Sequence, residues 1–271
     1  MEGKIQLRVQ WNTAILLAAL LALPAAAQSK DSYTPSPLDS AFGPIDPSAP
    51  AIAPEQIIRQ FAAHESEFQQ ALNRYSWRRD ARVQTFDSDN NVDGEYNEVD
   101  LITFDSTGKR MEKVVYAPQS TLQRITISPS DMQEIQNRNP FVLTTGSIGQ
   151  YSVKYAGKQK VDEIDCYVFD VGPRLAEKKH RYFEGRVWVD ATGLQIVLTR
   201  GLMVSGVTRK HDPELHPPLT TWRRQVGGGN WFPAFTKAEG TMRFPAGTGH
   251  LTQNIRIRYA IKYTGYKLSS Q

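Results

Sequence analysis

Four groups of side chains in this chain have the residue types that chemistry needs. The first is His211-Asp212-Pro213-Glu214-Leu215-His216, two imidazoles and two carboxylates within six residues. A divalent metal accepts such groups. The histidines are not at a helical i, i+4 spacing, however, and Pro213, Pro217 and Pro218 make the stretch a solvated surface loop. The second pairs Cys166 with His180 as nucleophile and base. Cys166 lies among Ile164, Tyr167, Val168 and Phe169, and apolar burial raises a thiol pKa, so an inert buried thiol is expected. The third is basic: Arg78, Arg79 and Arg82, with Arg78 and Arg82 on one strand parity. Such a patch suits lipid phosphates or an acidic partner, but a solvated edge strand protected by charge is the plainer reading. The fourth is aromatic: Phe61, Phe68, Tyr167, Phe169, Trp188, Trp222, Trp231 and Phe232. A core and an apolar binding cavity draw on the same residue types. The ligand-lining set expected from this group is Phe61, Phe68, Tyr167, Phe169, Trp188 and Trp222.

The catalytic motifs that can be recognised from spacing are missing. There is no Gly-x-Ser-x-Gly elbow, no phosphate-binding glycine loop and no His-Glu-x-x-His pair. Glycosidase chemistry needs only two carboxylates facing a cleft, and nothing in the sequence favours it. The expectation is a non-enzyme with no catalytic residue, no metal and no cofactor.

The elements that must position these groups can be read along the chain. Residues 1–27 have the three parts of an export signal. Lys4 and Arg8 open it, an apolar run follows from Ala14 to Leu23, and Ala25-Ala26-Ala27 stands before Gln28. The apolar run is about half of the roughly 20 residues a membrane-spanning helix needs. Residues 28–53 contain Pro35, Pro37, Pro44, Pro47 and Pro50 with few large apolar groups, and read as a disordered linker. Residues 54–271 then form a single domain.

The domain opens on a long helix. Pro54 suits its start, and Ile57, Ile58, Phe61, Phe68, Leu72 and Tyr75 recur on one face. From Trp77 the pattern has period two, in a meander of about ten strands: 77–86, 96–104, 110–116, 151–157, 164–171, 182–190, 194–200, 220–226, 231–237 and 251–263. A short helix is expected near Ser130 to Gln136. The Asp190-Ala191-Thr192-Gly193 turn has Asp to open it and Gly to take a positive φ. The strand at 164–171 is apolar on both parities, so it should be central and covered on both faces. In the last strand Leu251, Ile255, Ile257, Tyr259, Ile261 and Tyr263 share one parity, leaving the other to water. The fold class is α+β: a curved antiparallel sheet, an incomplete barrel of about ten strands, wrapped around a long N-terminal helix.

Composition narrows the function classes. The chain has 271 residues, a formal net charge of +4 and one cysteine, which excludes a disulfide scaffold. The charge is mild, and no basic stripe interleaved with aromatics appears, so nucleic acid is not an expected partner.

The segment Tyr182-Phe183-Glu184-Gly185-Arg186-Val187-Trp188-Val189-Asp190, followed by Gly193-Leu194-Gln195-Ile196-Val197, resembles a hairpin of the periplasmic lipoprotein-carrier (LolA/LolB-like) superfamily, in its broad outer-membrane lipoprotein-sorting branch. The export signal, the opening helix and the long antiparallel run are similar to that superfamily as well. The resemblance implies an incomplete barrel around a helix, with a hydrophobic cavity for acyl chains, and it brings no enzymatic residue. The proline-rich linker and the 201–218 insertion depart from the true carriers.

Together these readings give an exported, non-enzymatic binding or carrier protein. It holds an acyl chain or lipidated polypeptide between helix and sheet, as a periplasmic monomer capable of peripheral membrane contact. The alternatives are secretion, an envelope sensor or assembly module that binds a protein partner by the sheet edge or the 201–218 loop, and a hydrolase.

Overall fold

A computed structural model of the chain describes residues 42–105, 107–127, 142–177, 180–204, 218–227, 229–245 and 252–269. The predicted signal peptide, the first part of the predicted linker, the predicted helix at 130–136 and the His211–His216 loop lie outside them.

Helix α1 (Pro54–Leu72) starts with proline at its first turn, where a missing N–H costs nothing. It buries Ile57, Phe61, Ala62, Glu65, Phe68 and Ala71 along one stripe. Ten strands follow: β1 (Tyr75–Phe86), β2 (Val92–Phe104), β3 (Arg110–Tyr116), β4 (Tyr151–Val161), β5 (Ile164–Pro173), β6 (Tyr182–Asp190), β7 (Ile196–Val204), β8 (Leu219–Val226), β9 (Asn230–Pro245) and β10 (Thr252–Leu268). The strands pair antiparallel throughout, in one open sheet of order β3-β2-β1-β10-β9-β8-β7-β6-β5-β4. The expected class, α+β with a ten-stranded antiparallel sheet that does not close, is observed.

The order departs from a simple meander in one respect. The last strand does not lie at an edge: β10 sits between β1 and β9, so the two chain ends of the sheet pair and β3 and β4 become its edges. The alternation in β10 holds nonetheless, with Ile255, Ile257, Ile261 and Tyr263 buried.

The two faces have different covers. On one face, α1 packs Ile57, Phe61 and Ala62 against Phe169, Val171, Val187, Val189 and Ile196. On the other face, Cys166, Val168, Trp188 and Leu198 lie under Phe42 and Ile45. The strand β5 is therefore covered on both sides, as its composition implies, although it is next to an edge and not central.

Residues 42–53 are consequently not a disordered linker. Asp46 exchanges backbone hydrogen bonds with Lys158 of β4, at 2.8 and 2.7 Å. Tyr155 donates its hydroxyl to the Ser48 carbonyl at 2.9 Å. Composition misled because a few apolar anchors (Phe42, Ile45, Ile52) suffice to hold a proline-rich strap once a sheet is there to receive it. The helix is thus preceded by this strap and does not begin the fold. Gly157 makes the strap possible: its φ is +141°, and a Cβ there would sit 2.4 Å from the Asp46 carbonyl oxygen.

The 190–193 turn forms with a different residue at positive φ. The Asp190 carboxylate accepts from the N–H groups of Thr192 and Gly193, and Leu194 takes φ +49°. Gly193 leaves room for that carboxylate instead, since a Cβ would lie 2.9 Å from Asp190 Oδ2 and the carboxylate would have to shift.

Candidate functional site

The helix crosses the strands, and successive turns meet successive strands. Phe61 meets Phe169 of β5 edge to face at 5.7 Å between ring centroids. One turn on, Glu65 meets Arg223 of β8, which donates Nη1 and Nη2 to its two carboxylate oxygens at 2.5 and 3.0 Å. Phe68 then meets Phe232 of β9 at 5.6 Å, and its ring also carries the Arg223 guanidinium at 4.6 Å. Leu72 packs beside Trp77 of β1 and Tyr266 of β10. The contact between helix and sheet is filled core, closed by a buried ionic clip.

The helix-bearing face is larger than the helix. A helix of 19 residues is about 28 Å long. Ten strands with nine gaps span about 43 Å, and β9 and β10 are 16 and 17 residues long. The helix meets β10 near Tyr266, whereas Ile257 of the same strand lies about 30 Å further along. Between them and beyond runs a strip of the same face that α1 does not reach. Its floor carries Val83, Ile257 and Met242, with Tyr96 and Tyr259 half-buried beside them. Ile125 and Ile127 pack onto it from the connection after β3. That connection comes close because residue 94 is glycine: a Cβ would lie 3.0 Å from the Leu122 Cα.

A buried charged wall flanks this strip. Arg79 of β1 donates Nε and Nη2 to Asp100 Oδ2 of β2 at 3.1 and 2.8 Å, and Nη2 also to Glu112 of β3 at 3.1 Å. Both Arg79 and Asp100 are almost fully buried. Burial raises the Asp100 carboxyl above its usual range, against the opposing pull of Arg79. Tyr96 donates its hydroxyl to Glu98 at 2.6 Å, and burial, with that acceptor, raises the phenol pKa. Asp100 Oδ1 and Trp77 Nε1 are buried and have no hydrogen-bond partner among the described residues. The arrangement is an apolar floor along the strands, buried beneath Ile125 and Ile127, with buried polar groups at one side.

The six aromatics expected to line a ligand are not gathered in one place. Phe61, Tyr167 and Phe169 share the core under the N-terminal half of α1. Phe68 belongs to the cluster around Phe232. Trp188 and Trp222 are on the opposite face, under the strap, where Trp188 donates Nε1 to Gln159 Oε1 at 2.7 Å. The basic trio divides too. Arg79 enters the buried wall, while Arg78 and Arg82 lie on the opposite face. The nucleophile reading of Cys166 fails on register: it pairs with Asp190 at one end of the β5–β6 hairpin, while His180 precedes the other end. Burial, with the nearby Asp190 and Asp165 charges, pushes its thiol up to about 12. Glu65, Arg223 and Gln159 were not singled out from sequence. The signal for Glu65 was available, since it interrupts the apolar stripe between Phe61 and Phe68.

Among the described residues, no group of three or more His, Cys, Asp or Glu is placed to hold a metal ion, and no helix is long and apolar enough to cross a membrane. No protein-family model and no curated protein matches the sequence. Solved structures of similar trace include a DUF1329 family protein from Desulfovibrio piger, at 15% identity and TM-score 0.35, covering 76% of this chain and 90% of that one. A LolA superfamily protein from Nitrosomonas europaea has 13% identity and TM-score 0.32, with 77% and 94% covered. A domain named for outer membrane lipoprotein sorting, from Vibrio parahaemolyticus, has 12% identity and TM-score 0.34, with 76% and 92% covered.

Proposed function

We propose that this chain is an exported, non-enzymatic binding protein that carries a hydrophobic ligand, an acyl chain or a lipidated polypeptide, on the helix-bearing face of its sheet. The observation that supports this reading is the mismatch of size. The apolar face continues along β1, β9 and β10 past the reach of α1, to Val83, Met242 and Ile257. An acyl chain laid along that strip in place of Ile125 and Ile127, which cover its floor, would leave water at roughly 25 cal/mol per Å² of apolar area, before the cost of ordering it and of displacing that cover. The ligand site proposed here lies around Tyr96 and Tyr259, displaced from the six aromatics singled out in the sequence. Those aromatics hold the helix and the strap in place.

Export is part of the proposal and rests on the signal-like residues 1–27. Location in a periplasm and a monomeric state belong to it as well.

The test is a titration of the purified protein with a fluorescent fatty acid whose emission rises in apolar surroundings. The reading expects saturable binding that weakens at least about tenfold in Tyr259→Asp, with the thermal unfolding transition retained. Saturable binding that Tyr259→Asp leaves unchanged would move the site elsewhere, and no binding at all would remove the carrier reading.

A further inference from the structure

The two edges of the sheet are treated differently. At β4 the strap covers the edge: Asp46 pairs with Lys158, and Gly157 lets it approach. At β3 nothing among the described residues pairs with the outer side, because β3 ends the strand order. An edge strand left open is a template for another strand, and folded proteins ordinarily blunt it with charge, proline or a cover.

Among the described residues, the open edge is also where exposed apolar side chains gather most. Six of the eight large apolar residues exposed among the described residues are Val92, Leu101, Met111, Val114, Val115 and Tyr116, all on β2 and β3. They cluster on one strand pair, where scattered single residues would need no explanation. Register places them on both sides of the sheet. Met111 lies opposite Thr103, Lys113 opposite Leu101, and Tyr116 opposite Val99 on the face away from the helix. Val114 lies opposite Asp100 on the helix-bearing face.

Charge indicates what kind of strand fits. Lys113, Leu101 and Arg78 are successive cross-strand neighbours, so two cations flank an exposed leucine. Arg82 follows four residues along β1, with Glu95 3.9 Å away. Among acidic residues nearby, Glu112 is engaged by Arg79 and Arg110 on the helix-bearing face, and Asp80 stands opposite Val99. A membrane surface would also answer to apolar residues with cations. An unpaired strand edge is never left facing lipid hydrocarbon, however, since its N–H and C=O groups find no hydrogen-bond partner there. A polypeptide strand satisfies those groups, and lipid does not.

We infer that β3 is a docking edge for an extended polypeptide segment in which apolar and acidic residues alternate, added antiparallel or parallel to the sheet by backbone hydrogen bonds. Its backbone would complete the outer side of β3. Its acidic side chains would lie beside Lys113 on the face away from the helix, and its apolar ones beside Val114 on the helix-bearing face. This surface is separate from the ligand strip, so the inference stands or falls independently of the carrier reading.

The experiment uses the purified protein and a fluorescein-labelled peptide of alternating valine and glutamate, followed by polarisation. Saturable binding is expected. It should weaken at least about fivefold in Lys113→Glu, whose exposed side chain makes misfolding no concern, and lysine in place of glutamate in the peptide should abolish it. Methylating every second peptide nitrogen, in each of the two phases, should abolish binding in one phase only, because alternate N–H groups face the edge. Hydrogen exchange should show new protection at alternate β3 amides. Absence of saturable binding, equal binding of the lysine peptide, or indifference to N-methylation in both phases would overturn the proposal. So would capture of the protein by phosphatidylglycerol vesicles, lost in Met111→Ser, when the peptide does not bind.

Discussion

Arg223 of β8 holds Glu65 of α1 through two parallel hydrogen bonds while both side chains are no more than 2% exposed. The pair fixes the helix along its axis, because a bidentate guanidinium–carboxylate contact accepts only one register. It lies between the Phe61–Phe169 and Phe68–Phe232 contacts, so one residue of slippage would misplace both rings.

Removing one partner should therefore cost far more than removing both. Arg223→Met leaves a buried carboxylate without its cation and is expected to destabilise the fold by about 3–5 kcal/mol. Glu65→Leu combined with Arg223→Met should recover most of that loss. Urea unfolding of the three proteins checks it: equal losses in single and double variants would mean that the pair contributes only its packing.

The strap gives a second prediction. Gly157→Ala puts a methyl group into the Asp46 carbonyl at a φ that alanine rarely adopts, and should cost about 1–3 kcal/mol. The effect should be local. Limited proteolysis should cut between 42 and 53 faster, while the β10 amides keep their exchange protection. Gln159→Leu should act in the same direction, since Gln159 joins Trp188 Nε1 to the Gly43 carbonyl at 2.7 and 2.6 Å. Unchanged cleavage in both variants would contradict the role given to the strap.

Cys166 supplies a prediction about pH. Burial pushes its thiol up to about 12 in the fold, from an ordinary value of 9.0. At pH 8 the native thiolate is then about a thousandfold scarcer than in an unfolded chain, and iodoacetamide should label it correspondingly slowly. The sign for stability follows. The fold favours the protonated form, so this contribution is complete below about pH 9 and is lost as pH rises from there toward about 12. Cys166→Ala should flatten the alkaline fall in stability over that window. Rapid labelling of the native protein at pH 8 would show that the strap and β6 do not shield the thiol.

How much of this the sequence disclosed depended on whether a signal was local. Period-two alternation located all ten strands, and the two-parity apolar run at 164–171 announced covers on both faces of β5. Pairing between distant strands left no such mark. Nothing near Tyr75 or Leu268 says that β1 and β10 are neighbours, so the edges fell to β3 and β4 unannounced. The aromatic residues had the same ambiguity. Trp188 pairs with Val168, the chain neighbour of Phe169, yet adjacent parity sends the two rings to opposite faces. Composition alone cannot see parity combined with a cover that arrives from residues 42–53. Arg79 illustrates the point most simply: next to Arg78 in sequence, it is buried against Asp100, while Arg78 is exposed on the other side.

The central claim is that the apolar strip around Val83, Tyr96, Tyr259 and Ile257 holds a hydrophobic ligand. The most direct measurement is a native mass spectrum of the protein purified from its own cell envelope, followed by extraction and identification of what is bound. The account predicts a mass addition that dissociates as a lipid or acylated peptide and is lost in Tyr259→Asp while the unfolding transition persists. A protein that arrives empty, and whose thermal transition does not move when lipids are added, would contradict it.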